Sequence, residues 1–282
     1  MCIRDSRDIK KRALRMIGDP ATRYREDPVR IVRAVRFAAK LGFEIDSATR
    51  APIARLASLI ENVPAARVFD EMLKLLMSGY SVACISRLRA EGLHHGLLPL
   101  LDVILEQPQG ERFVMLALAR TDERARAGKR VAPGFLFATL LWHEVQSKWN
   151  ARVAAGEHRM PALEAAIDQV LETQTEKLAI QRRFTSDMRE IWTLQTRFER
   201  RTGQAPFRLL EHLRLRAGYD FLLIRCEAEE AAAELGEWWT RFIHGSDEER
   251  AALMQEASST RTAAAPGARR RRRPRRRPAE AA

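Results

Sequence analysis

The feature that most constrains this chain is the spacing of its apolar residues, which recur at intervals of three and four along most of its length. That period gathers them on one face of an α-helix, whereas a half-buried strand needs strict alternation. Runs of alternating β-branched and aromatic residues bounded by turns are almost missing. The chain is therefore read as all-α. Helices are predicted near 28–41, 47–60, 64–77, 81–91, 94–105, 111–120, 133–154, 161–178, 184–200, 205–214, 216–234, 236–243 and 247–257. Gly42, Gly79, Gly92, Gly110, Gly128 with Lys129, and Gly203 mark turns between them. No fixed-period repeat is present, so a solenoid of one known repeat type is not supported.

Charge narrows the class of partner. Lys and Arg number 49 against 37 Asp and Glu, giving +12 and a pI near 10.4. Such an excess favours a polyanion. Residues 261–282 hold nine arginines and one glutamate, so the terminus supplies +8 and the rest only +4. From Ser258 onward Ser, Thr, Ala, Pro and Arg dominate, and this composition cannot bury enough apolar surface to offset the entropy of ordering. A disordered basic tail is expected over 258–282. Within it Arg269, Arg270, Arg271, Arg272, Arg273, Arg275, Arg276 and Arg277 are dense enough to bind RNA by counterion release. Cys2, Cys84 and Cys226 share no paired spacing, which argues against a zinc site or a disulfide framework and fits a reducing cytoplasm. No apolar run reaches the roughly 20 residues that span a bilayer.

One segment carries recognition chemistry. In "RYREDPVRIVRAVRFA", Asp27 before Pro28 reads as an N-cap with a first-turn proline. That phase puts Ile31, Ala34, Val35, Ala38 and Leu41 on an apolar face and Arg30, Arg33 and Arg36 toward the other, solvated one. An aspartate one turn before an arginine sets an acceptor beside a donor. The pair matches the pairing edges of adenine and cytosine, which carry an amino donor beside a ring acceptor, and mismatches guanine and uracil. Arg33 and Arg36 would then face phosphate.

The stretch "IGDPATRYREDPVRIVRAVRFAAKLGFEI" resembles the neck of the class II nucleotidyltransferases, the bacterial poly(A) polymerases and CCA-adding enzymes, with their EDxxR motif at Glu26, Asp27 and Arg30. The resemblance implies that these residues contact the incoming base and that Arg33 and Arg36 lie at the nucleotide. "ARVFDEMLKLL" is similar to a second family element, implying that Arg67 and Glu71 form a structural pair that steadies the neck. "RRFTSDMREIWTLQTRFERR" and "LLEHLRLRAGYDFLLIR", before an arginine-rich terminus, look like the poly(A) polymerase branch, and Arg182 and Arg183 are taken as RNA contacts outside the tail. The implied fold is an elongated helical neck, body and C-terminal region. The implied activity of the full form is transfer of AMP from ATP to RNA 3′ ends with Mg²⁺, in mRNA processing and decay.

The family's catalytic carboxylates should appear as Asp-x-Asp after a Gly-Ser turn, and no such motif is present in these 282 residues. In "HGSDEE" the acids follow too closely, and Ser246 with Glu249 makes a capping box. "MCIRDS" resembles a translated sequencing adapter, so residues 1–6 are expected to be foreign, and the chain to be a headless part that is inactive alone and binds neither metal nor cofactor. The expected division is neck and base-recognition region 7–78, helical body 79–160, C-terminal RNA-binding region 161–257, then the tail. RNA 3′ ends and ATP are the implied partners, RNA-decay machinery a further one, and a monomer the expected state. Among other candidates, adjacent His94 and His95 would diverge by about 100° on a helix, poor geometry for joint metal ligation. His143 and Glu144 read as helix surface beside core residues Leu140 and Trp142, and "GYDFLLIR" is expected to pack Phe221 and Leu222. Two alternatives stay open: a CCA-adding tRNA nucleotidyltransferase, and a non-catalytic helical RNA-binding adaptor.

Overall fold

A computed structural model describes residues 6–93, 108–178 and 180–263. Residues 1–5 of the adapter-like start, the helix expected at 94–105 with His94 and His95, and Arg269 to Arg277 lie outside the described residues. Elements run α1 (Ser6–Lys10), β1 (Ala13–Leu14), α2 (Pro20–Glu26), α3 (Val29–Leu41), β2 (Glu44–Ile45), α4 (Ser47–Arg50), α5 (Ile53–Leu56), a 3₁₀ segment (Ala57–Asn62), α6 (Ala65–Leu76) and α7 (Ser81–Ala90). After them come α8 (Pro108–Arg126), α9 (Pro133–Leu140), α10 (Trp142–Ala154), α11 (Arg159–Leu178), α12 (Arg182–Phe198), α13 (Ala205–Leu210), α14 (Leu215–Glu227), α15 (Ala233–His244) and α16 (Asp247–Ala263). The all-α reading holds. β1 and β2 are a two-residue parallel bridge, Ala13 beside Glu44 and Leu14 beside Ile45, which ties the entry strand to the exit of α3.

Four helical expectations are corrected. The helix expected at 47–60 is three short pieces, because Pro52 lacks an amide hydrogen and clashes with the preceding turn. The one expected at 133–154 bends at Leu141. The helix expected to reach 234 stops at Glu227, where Glu229 takes a left-handed conformation (φ 65°) and the Glu230 amide donates to the Arg225 carbonyl at 2.8 Å. The Glu229 carboxylate is drawn to Arg112 (2.8 Å), and that of Glu230 to His143 (2.6 Å) and the Trp142 indole (3.2 Å). His143 is thus a largely covered group paired with Glu230, not the open helix surface expected of it. Finally, α16 runs to Ala263, past the proposed tail boundary at Ser258. It starts at the anticipated capping box, Ser246 and Glu249 exchanging hydrogen bonds of 2.8 and 3.2 Å, and meets no Gly or Pro before Pro266.

The larger core is continuous from Leu14 to Ile224 and takes residues from both sides of positions 78 and 160. Phe221 sits at its centre, edge-to-face against Phe113 (5.2 Å) and Trp142 (5.5 Å), and it and Leu222 are fully buried as expected. A second cluster joins α12, α14, α15 and α16 around Phe198, Trp238, Trp239 and Phe242, with the Trp239 indole donating to the Phe198 carbonyl at 2.8 Å. Helices α12 and α14 serve both cores by close approach at Gly218, where an added Cβ would lie 2.7 Å from Leu194 Cδ1. At the other end, α6 enters the larger core through Phe69, stacked on Phe137 at 5.4 Å.

Candidate functional site

The chain turns from α2 into α3 at Glu26, Asp27 and Pro28. Two Asp-Pro pairs bracket α2, and their side chains behave differently. Asp19 caps α2, accepting from the Thr22 amide at 2.7 Å. The Asp27 carbonyl closes the first turn of α3, accepting from the Arg30 amide at 3.0 Å, but its carboxylate is not the cap that the sequence suggests. It accepts instead from Arg67 Nη2 at 3.0 Å and lies 3.7 Å from Arg30 Nε. An ion pair to a facing helix outcompetes a local amide because Pro28 has already removed one of the free donors at this helix start.

Beside Asp27, the exposed Glu26 carboxylate accepts from Arg23 at 2.8 Å and Arg30 at 3.1 Å, and these hydrogen bonds, Arg30 first, hold its pKa below the usual range. Arg30 also donates to the Arg23 carbonyl at 3.1 Å. The corner therefore gathers Arg23, Glu26, Asp27, Arg30 and Arg67 on the junction of three helices. Tyr24, fully buried, anchors α2 by donating to the Thr49 carbonyl at 3.1 Å.

One turn along α3, the basic face proves only partly solvated. Glu71 on α6 is only 2% exposed, and its carboxylate takes Arg36 Nη2 at 2.6 Å, Arg36 Nε at 2.8 Å and Arg33 Nη2 at 3.3 Å, with Lys74 Nζ at 3.7 Å. Burial pushes the Glu71 carboxyl up, but the Arg36 hydrogen bonds and the charges of Arg36 and Arg33 outweigh it and leave the pKa below its ordinary value. Arg36 also lies over the Phe37 ring at 4.4 Å. Behind its carbonyl, burial raises the Cys84 thiol to about 11, which makes it inert as a nucleophile. Arg67 and Glu71 thus do not form the intrahelical pair expected of them. Each reaches across to the α2–α3 side, Arg67 to Asp27 and Glu71 to Arg33 and Arg36, because that side offers partly buried, oppositely charged partners. Sequence reasoning missed Arg23 and Lys74, although each stands three residues from an acid of the cluster. Arg182 and Arg183 open α12 as exposed residues, Arg183 lying 4.8 Å above the Phe184 ring.

Against protein families, residues 42–105 match a model described as "Probable RNA and SrmB- binding site of polymerase A", and residues 155–277 one described as "Polymerase A arginine-rich C-terminus". Poly(A) polymerase I of Haemophilus influenzae is 40% identical over 248 residues, 86% of this chain and 55% of that protein. The chain belongs to the bacterial poly(A) polymerase family. Poly(A) polymerase I of Escherichia coli O157:H7 is 41% identical over 243 residues, 84% of this chain and 52% of its own length. The chain thus spans about half the length of the curated relatives it matches. A CCA-adding enzyme of Limosilactobacillus fermentum is 44% identical over 70 residues, 25% of this chain and 18% of its own. Among solved structures, "Structure of tRNA-processing enzyme with CTP" superposes with a TM-score of 0.53 at 18% identity, covering 92% of this chain and 66% of that one, a likeness of fold.

The Glu71 cluster makes a prediction that separates its two arms. Removing one partner of a buried pair strands the other charges, so Glu71→Ala should cost about 3 kcal/mol in urea denaturation at pH 7. Arg67→Ala, at an exposed guanidinium, should cost under about 1 kcal/mol. Because folding lowers the Glu71 pKa, its contribution is present above the ordinary value of 4.5 and lost as pH falls through the lower folded value. Glu71→Gln should therefore weaken the dependence of stability on pH below about 4.5; an acid limb identical to that of the unsubstituted chain would count against this.

Proposed function

We propose that this chain is the base-selecting and RNA-holding part of a polynucleotide adenylyltransferase whose full form transfers AMP from ATP to RNA 3′ ends. The observation that carries the reading is the corner itself: the Asp27 carboxylate stands beside the Arg30 guanidinium, an acceptor next to donors. That pairing suits adenine or cytosine. Arg67 holds Asp27 from behind, and Glu71 holds Arg33 and Arg36, which fixes their direction before a ligand arrives. A guanidinium carries five N–H donors. Glu71 uses Nε and Nη2 of Arg36 and Nη2 of Arg33, leaving donors on both for a triphosphate.

The names of the 40–41% identical relatives favour ATP and a poly(A) product. The CCA-adding relative and the CTP-titled structure keep the tRNA nucleotidyltransferase reading as the alternative, since pairing chemistry alone admits both bases. In this reading the Mg²⁺ of the full form is held by carboxylates of a catalytic head. Arg182, Arg183 and the arginines of 269–277 then serve to hold RNA.

Three measurements test this function. The purified 282-residue chain should show no AMP transfer to RNA with ATP and either Mg²⁺ or Mn²⁺; primer extension would refute its dependence on a separate head. In a polymerase joining this chain to the catalytic head of a family member, Asp27→Ala should reduce discrimination of ATP against GTP and UTP by roughly tenfold to a hundredfold, a base contact being worth about 1–3 kcal/mol. An unchanged preference in Asp27→Ala would leave Asp27 as a structural residue. For the terminus, each arginine engaged with a single strand contributes about 0.7 to the log–log salt slope. With half of the eight in use, deleting 264–282 should flatten that slope by about 3; superimposable slopes would refute the RNA-arm role.

A further inference from the structure

A second cationic feature lies away from the α2–α3 corner. The loop after α8 and the start of α14 enclose a cleft of about 540 Å³, within the roughly 300–1,000 Å³ of ligand-sized clefts. Its geometry begins with Gly128, whose left-handed conformation (φ 67°) lets the Lys129 amide reach back to the Arg124 carbonyl at 2.9 Å and ends the helix. That turn throws Lys129 and Arg130 across the cleft mouth beside Arg124, whose Nε donates to the Arg130 carbonyl at 3.4 Å.

The cations here divide into two groups. Arg120, Arg214 and Arg216 are neutralised by Glu227, Asp187 and Asp220. Arg124, Lys129 and Arg130 are exposed, and no ion pair is formed by them among the described residues; Glu123 is the one acid of the lining in the same position. Between these charges the floor is apolar, with Val131 and the half-buried Phe135, whose ring stands edge-to-face on Phe221 at 6.3 Å. Leu213 on the rim is 97% exposed, the most exposed of the large apolar side chains described.

We infer that this cleft binds a short stretch of single-stranded RNA, with phosphates on Arg124, Lys129 and Arg130 and a base on the Phe135 and Val131 floor. The inference rests on the RNA-holding function proposed above and gives it a second place on the chain. Cations that answer to no carboxylate, set beside an anchored ring, are what a strand needs, since aromatic rings accept any base while cations follow the backbone. An acidic peptide would satisfy the cations alone and leave the planar floor unused.

The test uses the full 282-residue chain and a labelled oligoadenylate, read by anisotropy at several salt concentrations. Arg124→Ala, Lys129→Ala and Arg130→Ala together should lower the salt slope by about 2, three contacts at about 0.7 each. Leu213→Asp should weaken binding several-fold, whereas Leu213→Ala should weaken it less. All four side chains are exposed, so melting curves should be unchanged. If the unsubstituted chain binds no RNA, the RNA-holding function falls and the cleft with it. If it binds with the same slope after the triple substitution, the cleft inference alone is overturned. The inference is equally overturned if an oligoglutamate of matched charge loses as much affinity as RNA to both the triple substitution and Leu213→Asp, because the cleft then reads charge without bases.

Discussion

A carboxylate that is almost sealed from water must be answered by cations, and Glu71 imposes that demand on the neck. Desolvation alone would drive it neutral; Arg36 and Arg33 keep it charged, and they can do so only if α3 and α6 lie face to face in one register. The consequences run along both helices. Arg67 stands about one turn before Glu71 on α6, Arg30 about one turn before Arg33 on α3, and Asp27 three residues earlier at the start of that helix, so the register that satisfies Glu71 also brings Arg67 to Asp27. A planar fork matters here, because Arg36 meets one oxygen through two nitrogens while its carbon sits over Phe37. Lysine could not do both.

The helices were legible because their apolar stripes are long and regular. Val29–Leu41 and Ala65–Leu76 end within about a residue of the limits their period indicates, and the capping box at Ser246 opened its helix where expected. What was illegible depends on contacts between distant segments. "CEAEEAAAE" has strong helical propensity, yet the chain turns at Glu229 because Arg112, His143 and Trp142, more than eighty residues earlier, claim two successive glutamates. Asp27 shows the same effect at the site. Its spacing to Arg30 was readable, but its release from capping duty depended on Arg67, forty positions away, and local pattern carries no record of such a partner.

Charge counting was informative in the wrong unit. A sum of +12 says that a polyanion is welcome, but most arginines in the folded region are occupied with structure. Arg225 is the extreme case: burial pushes its pKa down, its guanidinium lies 5.0 Å over Trp142, and it stands 4.0 Å from Glu230, the carboxylate that also binds His143. This arginine joins α10, α12 and α14 through Trp142, Gln195 and its own helix, and its burial keeps it from a ligand. Arg36 differs, because Glu71 takes only its Nε and Nη2 and the rest of the fork is left over.

The useful quantity is therefore the charge left over after the fold has used what it needs, together with where that remainder lies. At the α2–α3 corner the remainder is directional, since Arg30, Arg33 and Arg36 are pinned by carboxylates that leave part of each fork unused. Such groups can discriminate, because moving them to suit a wrong ligand would break contacts that hold the neck. Around the α8–α14 cleft the remainder is Arg124, Lys129 and Arg130, which answer to no carboxylate and can follow a backbone of any sequence. In the proposed function one chain separates selection from grip by the same device, the presence or absence of an acidic partner, and arginine serves both because its geometry rewards being held while its charge does not depend on it.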